Sequence, residues 1–185
     1  MTHVYHFTDT ARLPWIIGSG ELHPSSNSRR GFPADLLWAT TNPAGDKTAS
    51  AAYAKQLHKD GVIQVVRMTL DADAFGPWRE VITGLLGWTE AHLAKLEHTA
   101  KSAGQDTAAW RCRVAPIRDY DWRDVDAKRH NENWRRIDAT QAYCIGHGLR
   151  RGFVIAGYAY LATQERDGTG NISYSNFARA GVTEA

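Results

Sequence analysis

Apolar residues are spaced along the chain in a way that predicts short strands separated by short helices. Strand-like runs, rich in β-branched and aromatic residues and bounded by turn residues, cover residues 4–7, 36–40, 62–70 and 110–114. The run VIQVVRMTL at 62–70 is the clearest of them. Residues 153–161, FVIAGYAYL, fit either a strand or a buried helix, and residues 118–140 fit no single pattern.

Helical periodicity and helix stop signals alternate with these runs. A helix is predicted at 12–19, because capping residues precede it and Gly18 and Gly20 end it. An alanine-rich helix is expected from Asp46 or Thr48 to about Leu57. Two further helices are predicted at 80–86 and 89–103.

This order of elements predicts an α+β fold with a central, mainly antiparallel or mixed sheet. The length of 185 residues suits a single domain, which we place at 1–163. The segment 164–185 is polar and contains glycine, so we expect a loosely ordered C-terminal tail.

Composition favours a cytoplasmic protein with no membrane association. No apolar run approaches the length that crosses a bilayer, and the opening is too polar for a signal peptide. Cys112 and Cys144, a sparse pair without metal-site spacing, indicate free thiols in a reducing compartment.

Charge is nearly balanced overall, with 22 Lys and Arg against 20 Asp and Glu, but it is uneven along the chain. The segment 111–136 combines many arginines and lysines with two tryptophans. It fits a phosphate-facing patch, and it fits equally a solvated surface whose aspartates neutralise the arginines.

The candidate chemistry lies at the ends of the first two strands. No metal-binding or nucleophile motif is present, and His3 and His6 point to opposite faces of a strand, so we expect no metal. His6 with Trp38, Thr40 and Thr41 could clamp a flat ring that carries an amide. The alternative is that His6 is a satisfied core histidine.

The segments YHFT, LPWIIGSGEL, LLWATTNP and AAYAKQL, in this order, resemble the N-terminal half of the ADP-ribosyltransferase superfamily. The resemblance is nearest to the small bacterial and phage-type members, including DNA-targeting toxins, and to the related RNA 2'-phosphotransferases. It covers about residues 4–70 and, more weakly, 110–126. It implies a split, mostly antiparallel sheet with short helices and a cleft for a dinucleotide.

The resemblance also implies an activity and a site. The activity is NAD-dependent ADP-ribosyl transfer, a glycosyltransferase reaction with NAD as substrate and a nucleic acid or protein as acceptor. A DNA or RNA partner and a cognate antitoxin or inhibitor are then expected. His6 would contact the ribose, Glu132 would be the catalytic acid, and the NAD cleft would include Tyr5, Thr8, Trp38, Thr40, Thr41 and Tyr53.

The strand at 110–114 resembles a late strand of the family. It contains Arg111 and Arg113 and no acid. These arginines are expected to bind the acceptor or a phosphate, as in the RNA 2'-phosphotransferases, which use arginines and a histidine instead of an acid. Two alternatives therefore stay open: a 2'-phosphotransferase-like enzyme, and a non-catalytic nucleotide-binding or inhibitor protein of the same fold.

Overall fold

A computed structural model describes residues 2–25, 27–49, 55–137, 150–155, 158–166 and 172–181. Tyr53 and Cys144 lie outside these residues. The fold is α+β, with a mostly antiparallel sheet and a few short helices. The helices are α1 (Leu13–Ser19), α2 (Lys55–Lys59), α3 (Trp78–Thr83) and α4 (Glu90–Ala103). The strands are β1 (His3–Asp9), β2 (Glu21–Leu22), β3 (Leu37–Thr40), β4 (Val65–Asp71), β5 (Gly76–Pro77), β6 (Trp110–Arg113), β7 (Ile117–Arg118), β8 (Asp124–Lys128), β9 (Arg135–Arg136), β10 (Arg150–Ile155), β11 (Tyr158–Arg166) and β12 (Ile172–Gly181).

Local signals account for the elements that the sequence predicts best. α4 begins with a capping box between Thr89 and His92 and ends at Gly104, whose φ of 64° is the left-handed conformation that glycine adopts without strain. At the start of α1, the buried carboxylate of Asp9 accepts hydrogen bonds from the main-chain N–H groups of Ala11 and Arg12. The predicted strands at 4–7, 36–40 and 110–114 and the helix at 89–103 are confirmed.

Other boundaries differ from the predictions. The strand predicted at 62–70 begins at Val65, and the helix predicted at 80–86 spans Trp78–Thr83. In the ambiguous segment 153–161, residues 153–155 belong to β10 and residues 158–161 to β11; these strands are antiparallel, and cross-strand hydrogen bonds satisfy their backbone. The division into a domain at 1–163 and a tail stays a prediction. Within 164–185, however, β12 pairs with β11, so this part of the segment is regular strand.

The chain divides into two compact units, each assembled from three segments. The first unit contains Met1–Phe7, Glu21–Ala52 and Met68–Arg123. Its strands lie in the order β5-β6-β3-β1, and β2 pairs with β7 separately. The helices α3 and α4 cover one face of the sheet, where the buried core includes Leu36, Trp78, Ile82, Leu93, Ala100, Trp110 and Cys112.

The second unit contains Thr8–Gly20, Tyr53–Arg67 and Asp124–Ala185. It holds α1, α2, the β8–β9 hairpin and the three-stranded sheet β10-β11-β12. Ala11, Ile63 and Ala162 are buried together, and the amide of buried Gln64 donates a 2.6 Å hydrogen bond to the hydroxyl of Tyr160. None of the helices in the described residues is long and apolar enough to span a membrane.

Candidate functional site

His6 is held in one tautomer by the strand beside it. Its Nδ1 lies 2.8 Å from the main-chain oxygen of Trp38 on β3. A carbonyl oxygen only accepts hydrogen bonds, so Nδ1 carries the proton and donates it. Burial lowers the pKa of His6, and the hydrogen bond to the Trp38 carbonyl raises it by less, so the ring is neutral near pH 7. Nε2 is therefore an unprotonated acceptor.

Three strands place His6 in a row with Ala39 and Arg111. Tyr5 pairs with Thr40, so the residues next to them, His6 and Ala39, share the other face of the sheet. Ala39 pairs in turn with Arg111 on β6. Because neighbouring strands lie nearly 5 Å apart, the Cα atoms of His6 and Arg111 are separated by about 10 Å. The methyl group of Ala39 is the only side chain between them in this row.

Arg111 and Arg113 share this face and have no carboxylate partner among the described residues. Arg111 donates from one guanidinium nitrogen to the main-chain oxygens of Ala108 and Trp110, at 2.9 and 2.8 Å. The guanidinium carbon of Arg113 lies 5.9 Å from the ring centroid of Phe75. Neither contact neutralises the positive charge, so the two cations form an electrostatically attractive place for an anion.

The opposite face of the same strands is core. Trp38 packs edge-on against Trp110 at a ring-centroid distance of 5.5 Å, and Thr40 is buried with its hydroxyl accepting from the N–H of Asn42. Cys112 is fully buried there, and burial raises the pKa of its thiol to about 12, so it is no nucleophile. The structure thus separates the side chains of Trp38 and Thr40 from that of His6, although the sequence groups them.

The remaining predicted site residues are scattered. Tyr5 is half-buried and lies on the face of Thr40, and Thr41 follows β3, where its N–H donates to the oxygen of Ala109. Thr8 is buried in the second unit. Glu132, the predicted catalytic acid, is exposed in the second unit and lies 3.8 Å from Arg129 and 3.9 Å from Arg135.

Two of the four arginines that the basic stretch places in the first unit are neutralised by distant carboxylates. Arg118 pairs with Glu21 at 2.7 Å, and Arg123 binds both oxygens of Asp71, at 3.0 and 2.6 Å. The guanidinium of Arg123 lowers the pKa of Asp71. These pairs match the interpretation of the stretch as a solvated surface and leave Arg111 and Arg113 as the exceptions.

A shallow surface cavity of about 450 Å³ also lies in the first unit, lined by Thr2, His3, Asp71, Asp73 and Arg123. It contains none of the predicted site residues. The described residues contain no group of three or more His, Cys, Asp or Glu side chains that could hold a metal ion. The face with His6, Ala39, Arg111 and Arg113 is therefore the strongest candidate site.

Sequence reasoning missed Ala39 and the main-chain oxygen of Trp38. The available signal for Ala39 was a small residue inside an otherwise bulky strand run, LWAT, and the structure buries this residue. Comparison of the chain with protein-family models, curated proteins and solved structures finds no match.

Proposed function

We propose that the first unit binds NAD on the face formed by His6, Ala39 and Arg111, and that the protein is an NAD-dependent ADP-ribosyltransferase with the split-sheet architecture of that superfamily. The observation that carries the proposal is the row itself. A neutral imidazole with a free acceptor stands at one end, and guanidiniums without carboxylate partners in the described chain stand at the other.

Each end of the row suits one part of a dinucleotide. Nε2 of His6 accepts a hydrogen bond from a ribose hydroxyl, which a protonated imidazole could not do. Arg111 and Arg113 attract the pyrophosphate, because guanidiniums match phosphate oxygens in geometry and charge. Ala39 lies between them and carries only a methyl group, which is itself buried.

The reaction breaks the bond between the ribose carbon and the nicotinamide nitrogen. Nicotinamide leaves with the electron pair, the ribose passes through an oxocarbenium-like state, and an acceptor nitrogen or oxygen attacks. The protein's contribution is chiefly positioning and charge stabilisation. The resemblance to the superfamily implies Glu132 as the acid that stabilises the cationic state. DNA or RNA is proposed as the acceptor, which would make the protein a cytoplasmic toxin-like modifier with a cognate inhibitor.

A second function, 2'-phosphate transfer from RNA to NAD, is favoured by one specific observation. The strand beside Ala39 presents two arginines on the His6 face and no acid. A 2'-phosphate would occupy the place between those cations. The superfamily's non-catalytic nucleotide binders would use the same face without turnover.

One experiment separates these functions. The purified protein is incubated with NAD labelled in the adenylate half, alone and with single-stranded DNA, RNA, 2'-phosphorylated RNA or a protein lysate. Label transfer with nicotinamide release supports ADP-ribosyl transfer, whereas loss of the phosphate from 2'-phosphorylated RNA supports the second function. NAD binding without either reaction supports a binding protein, and absence of NAD binding contradicts the proposed site.

A further inference from the structure

The tip of the β8–β9 hairpin in the second unit brings together basic, amide and aromatic side chains, and none of them belongs to the face that contains His6 and Arg111. β8 ends at Lys128 and β9 begins at Arg135. The loop between them carries three exposed polar side chains, His130, Asn131 and Asn133, and ends at half-buried Trp134. We propose that this tip is a contact surface for single-stranded nucleic acid.

The carboxylates at the base of the hairpin are engaged in a network of their own. Asp126 is buried and accepts from Arg67 at 2.9 Å and from Arg136 at 3.0 Å. Asp124 also pairs with Arg136. These two carboxylates and two guanidiniums neutralise one another at the base of the hairpin. Neither carboxylate therefore offsets positive charge at the tip.

The tip itself keeps positive charge. Its single carboxylate, Glu132, lies 3.8 Å from Arg129 and 3.9 Å from Arg135, which is longer than a hydrogen bond to either guanidinium. Lys128 is in no ion pair with any residue that the structure describes. A small surface with excess Lys and Arg attracts a phosphate backbone, because binding releases the counterions that the phosphates had condensed.

Trp134 supplies the aromatic plane that single-strand binders require. The guanidinium carbon of Arg67 lies 4.5 Å from its ring centroid, and Nζ of Lys128 lies 5.0 Å from it. The guanidinium of Arg67 is fixed by its hydrogen bond to Asp126. The contact given for the ammonium of Lys128 is the one with the indole ring. An unpaired base can therefore replace the ammonium over the indole, and the ammonium is then close to the adjoining phosphate.

The exposed amide and imidazole groups favour a single strand over a duplex. Base edges and faces become accessible to such side chains only when the bases are unpaired and unstacked. Asn131 has a φ of 62°, the one positive φ among the described non-glycine residues, which marks a tight turn at the loop apex. Cations, a tryptophan and amides thus lie within one short hairpin.

This inference stands on the second unit alone. It does not require that NAD binds, and where the proposed function holds it supplies the surface that recruits the acceptor. Its test is accordingly made in the absence of NAD, so that failure of either idea is seen separately.

The test measures anisotropy of labelled DNA and RNA strands of about 12 nucleotides, and of the matching duplex, between about 50 and 200 mM salt. The variant Lys128→Ala/Arg135→Ala removes two charges from the tip, and Arg79→Ala/Arg118→Ala removes two from exposed ion pairs in the first unit. We expect the tip variant to bind a single strand at least tenfold more weakly, with the slope of log affinity against log salt reduced by about 1.4.

A third variant, Trp134→Phe, keeps an aromatic ring against Arg67. Oligonucleotide binding should quench the tryptophan fluorescence of the wild type and quench this variant less. The proposal is overturned if the wild type binds no single strand at low salt, if the duplex binds as tightly, if the control variant loses as much affinity as the tip variant, or if quenching is unchanged in Trp134→Phe.

Discussion

The Nδ1 atom of His6 donates a hydrogen bond to the main-chain oxygen of Trp38 across the β1–β3 pair, at 2.8 Å. The two residues are 32 positions apart in sequence, so only the pairing of these strands creates the bond. It fixes the ring tautomer and leaves Nε2 as an acceptor on the face that carries Ala39 and Arg111. The structural role of His6 thereby resides on Nδ1, and the proposed ligand-binding role resides on Nε2.

Substitutions at His6 separate these roles. His6→Asn keeps a donor near the position of Nδ1 and removes the acceptor, whereas His6→Ala removes both. We expect His6→Asn to retain the melting temperature and to lose about 1–3 kcal/mol of NAD-binding free energy. Calorimetric titration with NAD and thermal unfolding of the same samples make the measurement. Unchanged affinity with a clearly lower melting temperature in His6→Ala would show a core role only.

Arg111 and Arg113 are expected to act together on an anion. The variant Arg111→Ala/Arg113→Ala should weaken NAD binding about tenfold to a hundredfold, because charge-assisted hydrogen bonds to phosphate are worth about 1.5–3 kcal/mol. Arg79→Ala/Arg118→Ala is the matched control, since it removes the same charge from exposed ion pairs. Equal loss in both variants would mean a general effect of net charge.

Glu132 is the proposed acid, and its removal should affect turnover more than stability. Its contacts with Arg129 and Arg135 are exposed and long, so Glu132→Gln should cost well under about 1 kcal/mol of folding free energy. We expect the rate of nicotinamide release to fall about a hundredfold or more with NAD affinity retained. A variant with wild-type turnover would assign the reaction to a mechanism without this acid.

The second unit should depend strongly on Asp126. This buried carboxylate binds Arg67, which is itself largely buried, so Asp126→Asn leaves a poorly solvated guanidinium without its charge partner. We expect a loss of about 3 kcal/mol in the free energy of unfolding, measured with denaturant. Glu97→Gln, which breaks the exposed pair with Arg79, should lose less than about 1 kcal/mol.

His58 predicts a pH dependence of stability. It is 6% exposed, its Nε2 has no hydrogen-bond partner among the described atoms, and Asp9, His130 and Lys128 are the charged groups that act on it. Burial lowers its pKa, Asp9 raises it, and the two basic groups lower it, with a net lowering. His58 therefore binds a proton more readily in the unfolded chain than in the folded chain. As a result, the free energy of unfolding falls as pH drops below the unfolded pKa of about 6.5.

The corresponding measurement follows the melting temperature from about pH 7.5 to about pH 5.5, across that unfolded pKa. His58→Gln should lose less melting temperature over this range than the wild type. His98→Gln, which changes an exposed histidine on α4, should behave as the wild type. Identical pH profiles for His58→Gln and the wild type would contradict the prediction.

Local elements could be predicted from the sequence because their causes are local. The aromatic and β-branched run at 4–7, the cap at Thr89 and the stop at Gly104 all act within a few residues. The segment 153–161 could not be assigned, because a continuous apolar run satisfies a buried strand and a buried helix equally. Its identity depends on whether a partner strand is present, and β11 has two.

By itself, the sequence determined the α+β class, the strand that carries His6, and the concentration of arginines after residue 110. Only the tertiary structure decided which arginines are paired with a carboxylate. Arg123 meets a carboxylate 52 positions away, whereas Arg111 contacts main-chain oxygens close by in sequence. It also decided that Ala39 rather than Trp38 lies beside His6, since strand register assigns each side chain to one of two faces. Charge pairing and register both depend on residues far apart in the chain, and no local pattern specifies them.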